Sequence, residues 1–127
     1  MNENEAYAFC KDWLASWTGN DPLGLISFYS RDAFYSDPAK RNGLEGHDEM
    51  LPYFTKLLER NPDWKWYAKE VFPTKEGFIL KWSAEIPVGK KVIHENGLDI
   101  VEFHQNKIKR NEVYFDRSAM LTEAMRK

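Results

Sequence analysis

The sequence predicts an α+β domain in which three N-terminal helices pack against one face of a curved antiparallel sheet. In the first half of the chain, apolar residues recur at helical spacing. After Asn61 and Pro62 they instead alternate with polar residues, as they do in half-buried strands. The 127 residues contain no repeat or linker, so we expect one domain that spans residues 1–127.

The first helix is expected over Glu3–Thr18, where apolar residues fall on one helical stripe. Gly19 and Asn20 favour the left-handed conformation that commonly ends a helix. Asp21 can then cap a short second helix that begins at Pro22. The two helices are therefore separated only by a tight turn.

A short strand, a loop and a third helix should follow. The strand is predicted over Ala33–Ser36, and the loop over Asp37–Gly46, which contains two glycines. The helix is predicted over His47–Arg60, with Pro52 tolerated in its first turn. Its buried stripe consists of Met50, Leu51, Phe54, Leu57 and Leu58.

The second half of the chain is expected to form four antiparallel strands joined by short turns. The expected strands are Trp64–Phe72, Phe78–Ile86, Val92–Phe103 and Ile108–Asp116. We expect a kink at Gly97 within the third of them, and a short helix over Arg117–Lys127. This order, helices first and strands afterwards, is typical of an α+β fold.

Composition narrows the classes of function. Aromatic residues make up 15% of the chain, more than a core of this size needs, so we expect some of them to line a pocket or an interface. A formal net charge of −2 argues against nucleic acid as a partner. Cys10 is the only cysteine, which excludes an internal disulfide and a zinc motif. No apolar run is long enough for a signal core or a membrane span, so we expect a cytoplasmic protein without membrane contact.

Two carboxylates lie in largely aromatic or apolar surroundings. Asp37 ends the Phe34–Asp37 run, although an Asp before Pro38 is also common at the start of an ordinary loop. Asp99 shares a strand face with Val101 and Phe103. If that face points inward, burial should raise the pKa of Asp99; if the register slips by one residue, Asp99 faces solvent. Two acids on an aromatic cavity would suit proton transfer.

These residues, in this order, resemble a cone-shaped α+β superfamily. The resemblance rests on an aromatic residue at Trp13, a tyrosine at Tyr29, Asp37-Pro38, Gly46 leading into a helix, and the Leu98–Phe103 strand followed by a turn. The superfamily includes nuclear transport factor 2, scytalone dehydratase, the SnoaL-like polyketide cyclases and ketosteroid isomerase. The resemblance implies a cystatin-like or nuclear transport factor 2-like roll, with a homodimer formed through the outer face of the sheet.

The resemblance to ketosteroid isomerase also implies roles. Asp37 falls where that family keeps the base that shuttles a proton, and Asp99 where it keeps a protonated acid that donates to the developing enolate. Trp13 replaces the catalytic tyrosine, and an indole N–H is a single donor far less acidic than a phenol. Phe54 replaces a pocket tyrosine, with Tyr53 adjacent but rotated by about 100° around the helix. We therefore expect Asp37, Asp99 and Trp13 to be catalytic, and the oxyanion site to be altered.

Other positions are expected to bind a ligand. Tyr29 could relay a proton toward either acid or simply cap the core with its hydroxyl group. In polyketide cyclases, a His and an Asp fall on the positions of Val101 and Val113, so that mechanism does not carry over. The expected ligand-binding residues are Tyr29, Phe54, Trp82, Val101, Asn111, Val113 and Phe115.

Three functions remain open at this point. The first is an enzyme without a cofactor that transfers a proton next to the carbonyl of a small apolar substrate. The second is a non-catalytic binding domain for a small apolar or aromatic ligand. The third is a scaffolding or dimerisation module whose aromatic residues serve only the core and the interface. The three histidines, His47, His94 and His104, follow no metal-ligand spacing, so no metal or other cofactor is expected.

Overall fold

A computed structural model describes residues 1–125 of the chain, so the last two residues of the expected C-terminal helix lie outside the described part. Four helices are present in that part. They are α1 (Glu3–Ala15), α2 (Pro22–Ile26), α3 (Gly46–Arg60) and α4 (Ser118–Ala124). α1 ends three residues before the predicted end, and the other three helices fall where the sequence places them.

The starts of the first two helices follow from local chemistry. The Asn2 side chain accepts a hydrogen bond from the Glu5 amide, and the Glu5 carboxylate accepts one from the Asn2 amide, which together form a capping box. The Asp21 side chain accepts from the Gly24 amide at 3.0 Å, and Pro22 begins α2. Polar residues immediately before each apolar stripe thus mark where the two helices begin.

Six strands form one curved, open sheet. They are β1 (Tyr29–Asp37), β2 (Lys40–Glu45), β3 (Lys65–Pro73), β4 (Gly77–Val88), β5 (Lys91–His104) and β6 (Lys107–Tyr114). Their order across the sheet is β2-β1-β6-β5-β4-β3. The register shifts after Ala68 in β3 and after Glu102 in β5, and irregularities of this kind, such as bulges, bend a sheet.

The predicted fold class is confirmed, with three differences in the sheet. β1 begins at Tyr29, four residues before the predicted start at Ala33. The segment from Asp37 to Gly46 is not a loop, because Lys40–Glu45 forms β2 and pairs with β1 as a hairpin. β2 has no buried residue, so no alternation of apolar and polar residues marked it as a strand. In addition, β1 pairs with β6 in parallel, whereas the other four pairings are antiparallel. That long-range contact has no local sequence signal.

The core lies between the helices and the concave face of the sheet. α1 packs on β3, and α3 packs on β1 and α2. The largest fully buried side chains include Trp13 of α1, Phe54 of α3 and Trp82 of β4. α4 contributes no buried residue and contacts β4 at one end of the sheet. α4 therefore borders the core rather than forming part of it.

The convex face of the sheet carries exposed hydrophobic side chains. Leu98 of β5 and Tyr114 of β6 are cross-strand neighbours that are 44% and 54% exposed. Arg110 pairs with Glu102 and Glu112 on the same strands. Over residues 1–125, no helix combines the length and apolar character that a membrane crossing requires.

Candidate functional site

A cavity of about 160 Å³ lies between α1, α3, α4 and the concave face of the sheet. Its walls are mostly apolar and include seven aromatic side chains, and the sheet supplies two carboxylates to them. The lining residues are Leu14, Trp17, Tyr35, Asp37, Pro38, Ala39, Tyr53, Leu57, Trp64, Trp66, Trp82, Asp99, Val113, Phe115, Arg117 and Met120. Asp37 and Asp99, the two acids singled out in the sequence, are both among these residues.

Asp99 points inward from β5 and is only 5% exposed. Its Oδ1 accepts a hydrogen bond from the Trp82 indole N–H at 3.0 Å, and its Oδ2 lies 3.5 Å from Nδ2 of Asn111. Burial raises the pKa of Asp99 to about 7, although both donors oppose that rise and the charge of Asp37 adds to it. A carboxyl group with this pKa exchanges its proton readily near neutral pH.

Asn111 and Tyr29 form a buried chain of hydrogen bonds behind Asp99. The Tyr29 hydroxyl donates to Oδ1 of Asn111 at 2.8 Å, which leaves the Asn111 amide N–H group to face Asp99. Asn111 is fully buried and Tyr29 is 2% exposed, and neither lines the cavity. Both residues were expected to contact a ligand. In the structure, Asn111 instead contacts Asp99 directly, and Tyr29 contacts Asn111.

Asp37 is 9% exposed, and four donors engage its carboxylate. Oδ1 accepts from the amides of Ala39 and Lys40 at 2.9 and 2.8 Å. Oδ2 accepts from the hydroxyls of Tyr35 and Tyr53 at 2.8 and 2.6 Å. Burial is the largest cause that raises the pKa of both tyrosines, so both keep their protons at neutral pH. Asp37 therefore both starts the β1–β2 turn and holds two phenols in place.

The structure brings some of the expected site residues to the cavity and leaves others beneath it. Asp37 and Asp99 line the cavity, as do Trp82, Val113 and Phe115. Trp13, Phe54 and Val101 do not line it, because each is completely buried in the core.

Trp13 was expected to donate a hydrogen bond to the substrate. Its indole N–H lies close to the Tyr29 hydroxyl but finds no hydrogen-bond partner within residues 1–125. It faces the interior because Trp13 lies on the same buried stripe of α1 as Ala6 and Cys10. An indole in that position contacts the core and cannot reach a substrate in the cavity.

On α3, the side chain that lines the cavity is Tyr53, whereas Phe54, which was expected to bind a ligand, is buried in the core. Adjacent helical residues point about 100° apart, so only one of the two can face the cavity. Phe54 packs against Trp17, Tyr29 and Tyr35 in the core. The hydroxyl of Tyr53 then reaches Asp37.

Sequence reasoning missed several other lining residues. Tyr35 had a detectable signal, because it lies two residues before Asp37 and so on the same face of the same strand. Trp17 is buried in the core and also lines the cavity. Trp64, Trp66, Arg117 and Met120 come from distant segments, and only the tertiary fold brings them together.

Over the described residues, no group of three or more His, Cys, Asp or Glu side chains is arranged to hold a metal ion. The side chains that line the cavity can supply acid–base chemistry at Asp99, hydrogen bonding at the phenols of Tyr35 and Tyr53, and one positive charge from Arg117. All of it lies on or near the cavity.

Comparison with known proteins identifies the family of this chain and the solved structures that share its fold. A family pattern described as a SnoaL-like domain matches residues 10–111. No curated protein matches the chain. Among solved structures, a hypothetical protein with a ketosteroid isomerase-like fold from Catenulispora acidiphila, in complex with trimethylamine, has a TM-score of 0.76 at 15% identity over 90% of this chain and 89% of that one.

Two further solved structures are similar over nearly the whole chain. A nuclear transport factor 2-like protein of unknown function from Burkholderia pseudomallei gives a TM-score of 0.77 at 13% identity, and covers 99% of this chain and 100% of that one. A SnoaL-like protein of unknown function from Burkholderia thailandensis gives 0.74 at 16% identity, and covers 91% and 98%. At these identities the structural likeness shows the fold alone. The match over residues 10–111 shows that the chain belongs to the family of SnoaL-like domains.

Proposed function

We propose that this protein is a small-molecule enzyme that needs no cofactor and that uses Asp99 to move a proton on a carbon next to a carbonyl group. The observation that carries the proposal is a buried carboxyl group in a mostly apolar cavity whose pKa is raised to about 7. Such a group can accept a proton and return it at the same pH, as an isomerase-like reaction requires.

In this proposal, ionised Asp99 removes a proton from the substrate carbon, and the electron pair of the broken C–H bond moves into the carbonyl group to give an enolate. Protonated Asp99 then returns the proton to a carbon of the enolate. The Trp82 N–H holds Oδ1 at 3.0 Å, whereas the contact of Oδ2 with Asn111 is longer, at 3.5 Å. Oδ2 is therefore the oxygen that we assign to proton transfer. Arg117 supplies positive charge to the lining, which favours an enolate.

Asp37 has a supporting role in this proposal rather than the role of base that the family resemblance implied. Each of its two oxygens already accepts two hydrogen bonds. A carboxylate has about four lone-pair sites, so a substrate C–H bond would have to displace a donor to reach Asp37. Its contribution is to fix the two phenols and to keep a negative charge near Asp99.

The cavity volume suggests the size of the substrate. An apolar cavity of roughly 150 Å³ accommodates benzene, whereas drug-sized ligands occupy roughly 300–1,000 Å³. The present cavity, at about 160 Å³, is in the first range. We therefore propose a substrate with a single ring or a similar short apolar skeleton, rather than a steroid.

The proposal can be tested without knowledge of the natural substrate. Exchange of C–H for deuterium beside the carbonyl of a small cyclic ketone, followed by proton NMR in D₂O, reports proton removal directly. We expect the protein to accelerate the exchange, with a rate that rises with pH through about 7 as Asp99 ionises. Asp99→Asn should lower the rate by on the order of 10²- to 10⁴-fold.

The matched control for that test is Asp32→Asn, the same chemical change at an exposed position of β1. It should leave the exchange rate unchanged. Equal rates for the native protein and Asp99→Asn would exclude Asp99 as the base. Exchange no faster than in buffer, over a panel of single-ring ketones, would favour the second candidate function.

That second candidate is a non-catalytic binding domain for a small apolar or aromatic ligand. Two observations favour it: Trp13 lies beneath the cavity, and all the accepting positions of Asp37 are engaged. The Catenulispora protein was solved with trimethylamine, which supports binding of small molecules by a protein of this fold. This candidate predicts ligand binding that persists in Asp99→Asn without any deuterium exchange.

We also propose that two copies of the chain associate through the convex face of the sheet. The support is the exposed pair Leu98 and Tyr114 at the middle of that face, together with exposed Phe72 on β3. Exposed apolar side chains on one face of a sheet are typical of an interface.

A further inference from the structure

The hydrogen-bond directions around Asp37 give one end of the cavity a defined polarity. A tyrosine hydroxyl has a single hydrogen to donate, and its oxygen can also accept. Tyr35 and Tyr53 both direct that hydrogen to Oδ2 of Asp37. What remains available at their oxygens is acceptor capacity only.

The protein cannot easily reverse this polarity. Oδ1 of Asp37 is fixed by the backbone amides of Ala39 and Lys40, which belong to the β1–β2 turn. The carboxylate therefore keeps its orientation and keeps presenting Oδ2 to the two phenols. Burial also raises the pKa of both phenols, so neither loses the hydrogen that it donates.

Of the two hydroxyls, that of Tyr53 is the one open to a ligand. Tyr35 is 2% exposed, and its ring packs against Trp17 and Phe54. Tyr53 is only partly buried and lines the cavity beside Pro38 and Ala39. Its oxygen is therefore the hydrogen-bond acceptor that a ligand at this end would meet, and the positive charge of Arg117 also acts on Tyr53.

The rest of the cavity favours a flat ring. Trp66 packs edge to face against both Trp64 and Trp82, and Trp82 packs in the same way against Phe115. These four rings form one continuous aromatic wall. With a volume of about 160 Å³, the cavity accommodates a single ring with one or two substituents.

We propose that the cavity selects ring-sized ligands that carry a hydroxyl or N–H group, and that Tyr53 determines this specificity by accepting the ligand's hydrogen bond. The proposal rests on the proposed function only in that the same cavity is the ligand site. It assigns the two polar ends of the cavity different tasks. The Asp37 end accepts a hydrogen bond from the ligand, and the Asp99 end exchanges a proton with it.

The test compares the binding of phenol, anisole and benzoate by NMR titration of the tryptophan indole N–H signals. Phenol can donate a hydrogen bond, and anisole has the same ring but no donor. We expect phenol to bind the native protein about tenfold more tightly than anisole, as one added hydrogen bond can provide. In Tyr53→Phe, the ratio of the two dissociation constants should fall to about one.

Two controls separate this proposal from its alternatives. Tyr67→Phe removes a hydroxyl from an exposed tyrosine of β3 that donates to Glu85, and should leave the ratio unchanged. Asp99→Asn should also keep the preference for phenol. That result would show that the phenol hydroxyl donates its hydrogen bond to Tyr53 and not to Asp99. A phenol-to-anisole ratio that persists in Tyr53→Phe would overturn the proposal.

Other outcomes also decide the question. Equal binding of phenol and anisole by the native protein would overturn the donor specificity while leaving proton transfer by Asp99 intact. Tighter binding of benzoate than of phenol would assign specificity to Arg117 instead, and would also overturn the proposal. Failure of all three probes to bind would contradict both this inference and the assignment of the cavity as the ligand site.

Discussion

At the scale of single residues, the protonation state of Asp99 is a balance between burial and two hydrogen-bond donors. Removal from water favours the neutral acid, whereas the Trp82 and Asn111 N–H groups favour the carboxylate. The result is a pKa of about 7, between an ordinary Asp and a fully desolvated one. Each of the two donors is thus a means by which the fold sets the pH at which Asp99 can exchange a proton.

This balance predicts how stability depends on pH. An unfolded Asp releases its proton near pH 3.9, whereas folded Asp99 holds it until about pH 7. Folding is therefore favoured by Asp99 below pH 3.9, and this contribution is lost as the pH rises through 7. The loss over that window is about 4 kcal/mol.

Urea denaturation at several pH values measures this loss. Between pH 4 and 8, the free energy of unfolding of the Asp99→Asn variant should rise by about 4 kcal/mol relative to that of the native protein. A difference that stays constant with pH would contradict the raised pKa.

Asn111→Leu should raise the pKa of Asp99 above its native value, because the amide donor that stabilises the carboxylate is removed. It should also lower the free energy of unfolding by about 1–3 kcal/mol, since the buried Tyr29 hydroxyl loses its acceptor. Carboxyl-carbon NMR titration measures the first effect and urea denaturation the second. Tyr29→Phe, which keeps the amide beside Asp99, should shift the pKa less. An unchanged titration of Asp99 in Asn111→Leu would show that the 3.5 Å contact has no electrostatic effect.

The sequence predicts single residues of this site unevenly. Alternation along β5 places Asp99 and Val101 on one face, and both are buried in the structure. Whether that face points inward was left open by the sequence, because a slip of one residue would reverse it. Phe54 was expected to bind a ligand, but Tyr53 lines the cavity instead. The apolar stripe of a helix locates its own edge only to within one residue, so the sequence could not separate the two. Of the four donors to Asp37, the amides of Ala39 and Lys40 depend on the β1–β2 hairpin, and Tyr53 depends on the packing of α3 on β1. These three could not be predicted from local sequence patterns.

At the scale of elements, the contact between β4 and β5 positions Asp99. Gly97 is paired with Trp82, and a Cβ atom at Gly97 would lie 2.2 Å from the Trp82 ring. The missing side chain makes room for the indole to lie over β5, from where its N–H reaches Asp99 two residues further on. The expected kink at Gly97 is therefore better described as space for Trp82.

Gly97→Ala should displace the Trp82 ring, because a rigid indole cannot yield by more than a few tenths of an ångström. We expect a loss of about 1–3 kcal/mol in the free energy of unfolding, as for other overpacked sites. The pKa of Asp99 should rise as well, since the Trp82 N–H opposes its elevation.

Asn96→Ala, at the exposed neighbouring position of β5, is the matched control and should change neither quantity. The measurements are urea denaturation and the NMR titration of Asp99. If Gly97→Ala titrated like the native protein, the Trp82 hydrogen bond would not tune Asp99.

Elements were predicted best where burial alternates in a simple way. β4 and β5 are long strands with an apolar face, and their predicted ranges lie within the observed ones. β2 carries only exposed and half-buried residues, so its strand conformation depends on pairing with β1 and not on its own pattern. The parallel pairing of β1 with β6 joins segments about 75 residues apart, beyond the reach of local periodicity.

At the scale of the whole molecule, the two faces of the sheet have different surroundings. The concave face is covered by helices and holds the cavity, whereas the convex face exposes Leu98, Tyr114 and Phe72 to solvent in a single chain. Arg110 forms ion pairs with Glu102 and Glu112 nearby. A second copy of the chain could bury the apolar centre of this face while those charges remain hydrated at its rim.

This arrangement predicts a dimer that a single charge disrupts. Sedimentation equilibrium should give twice the chain mass of 15.0 kDa for the native protein. Leu98→Asp should give the mass of one chain, because it places a carboxylate among apolar side chains at the middle of the interface. Leu23→Asp, at an exposed leucine of α2 away from the sheet, should remain dimeric.

Because the Asp99 cavity lies on the opposite face of the sheet, the Leu98→Asp monomer should retain the native titration of Asp99. A native protein that sediments as a single chain would refute the proposed interface, and a dimer that survives Leu98→Asp would place the contact elsewhere.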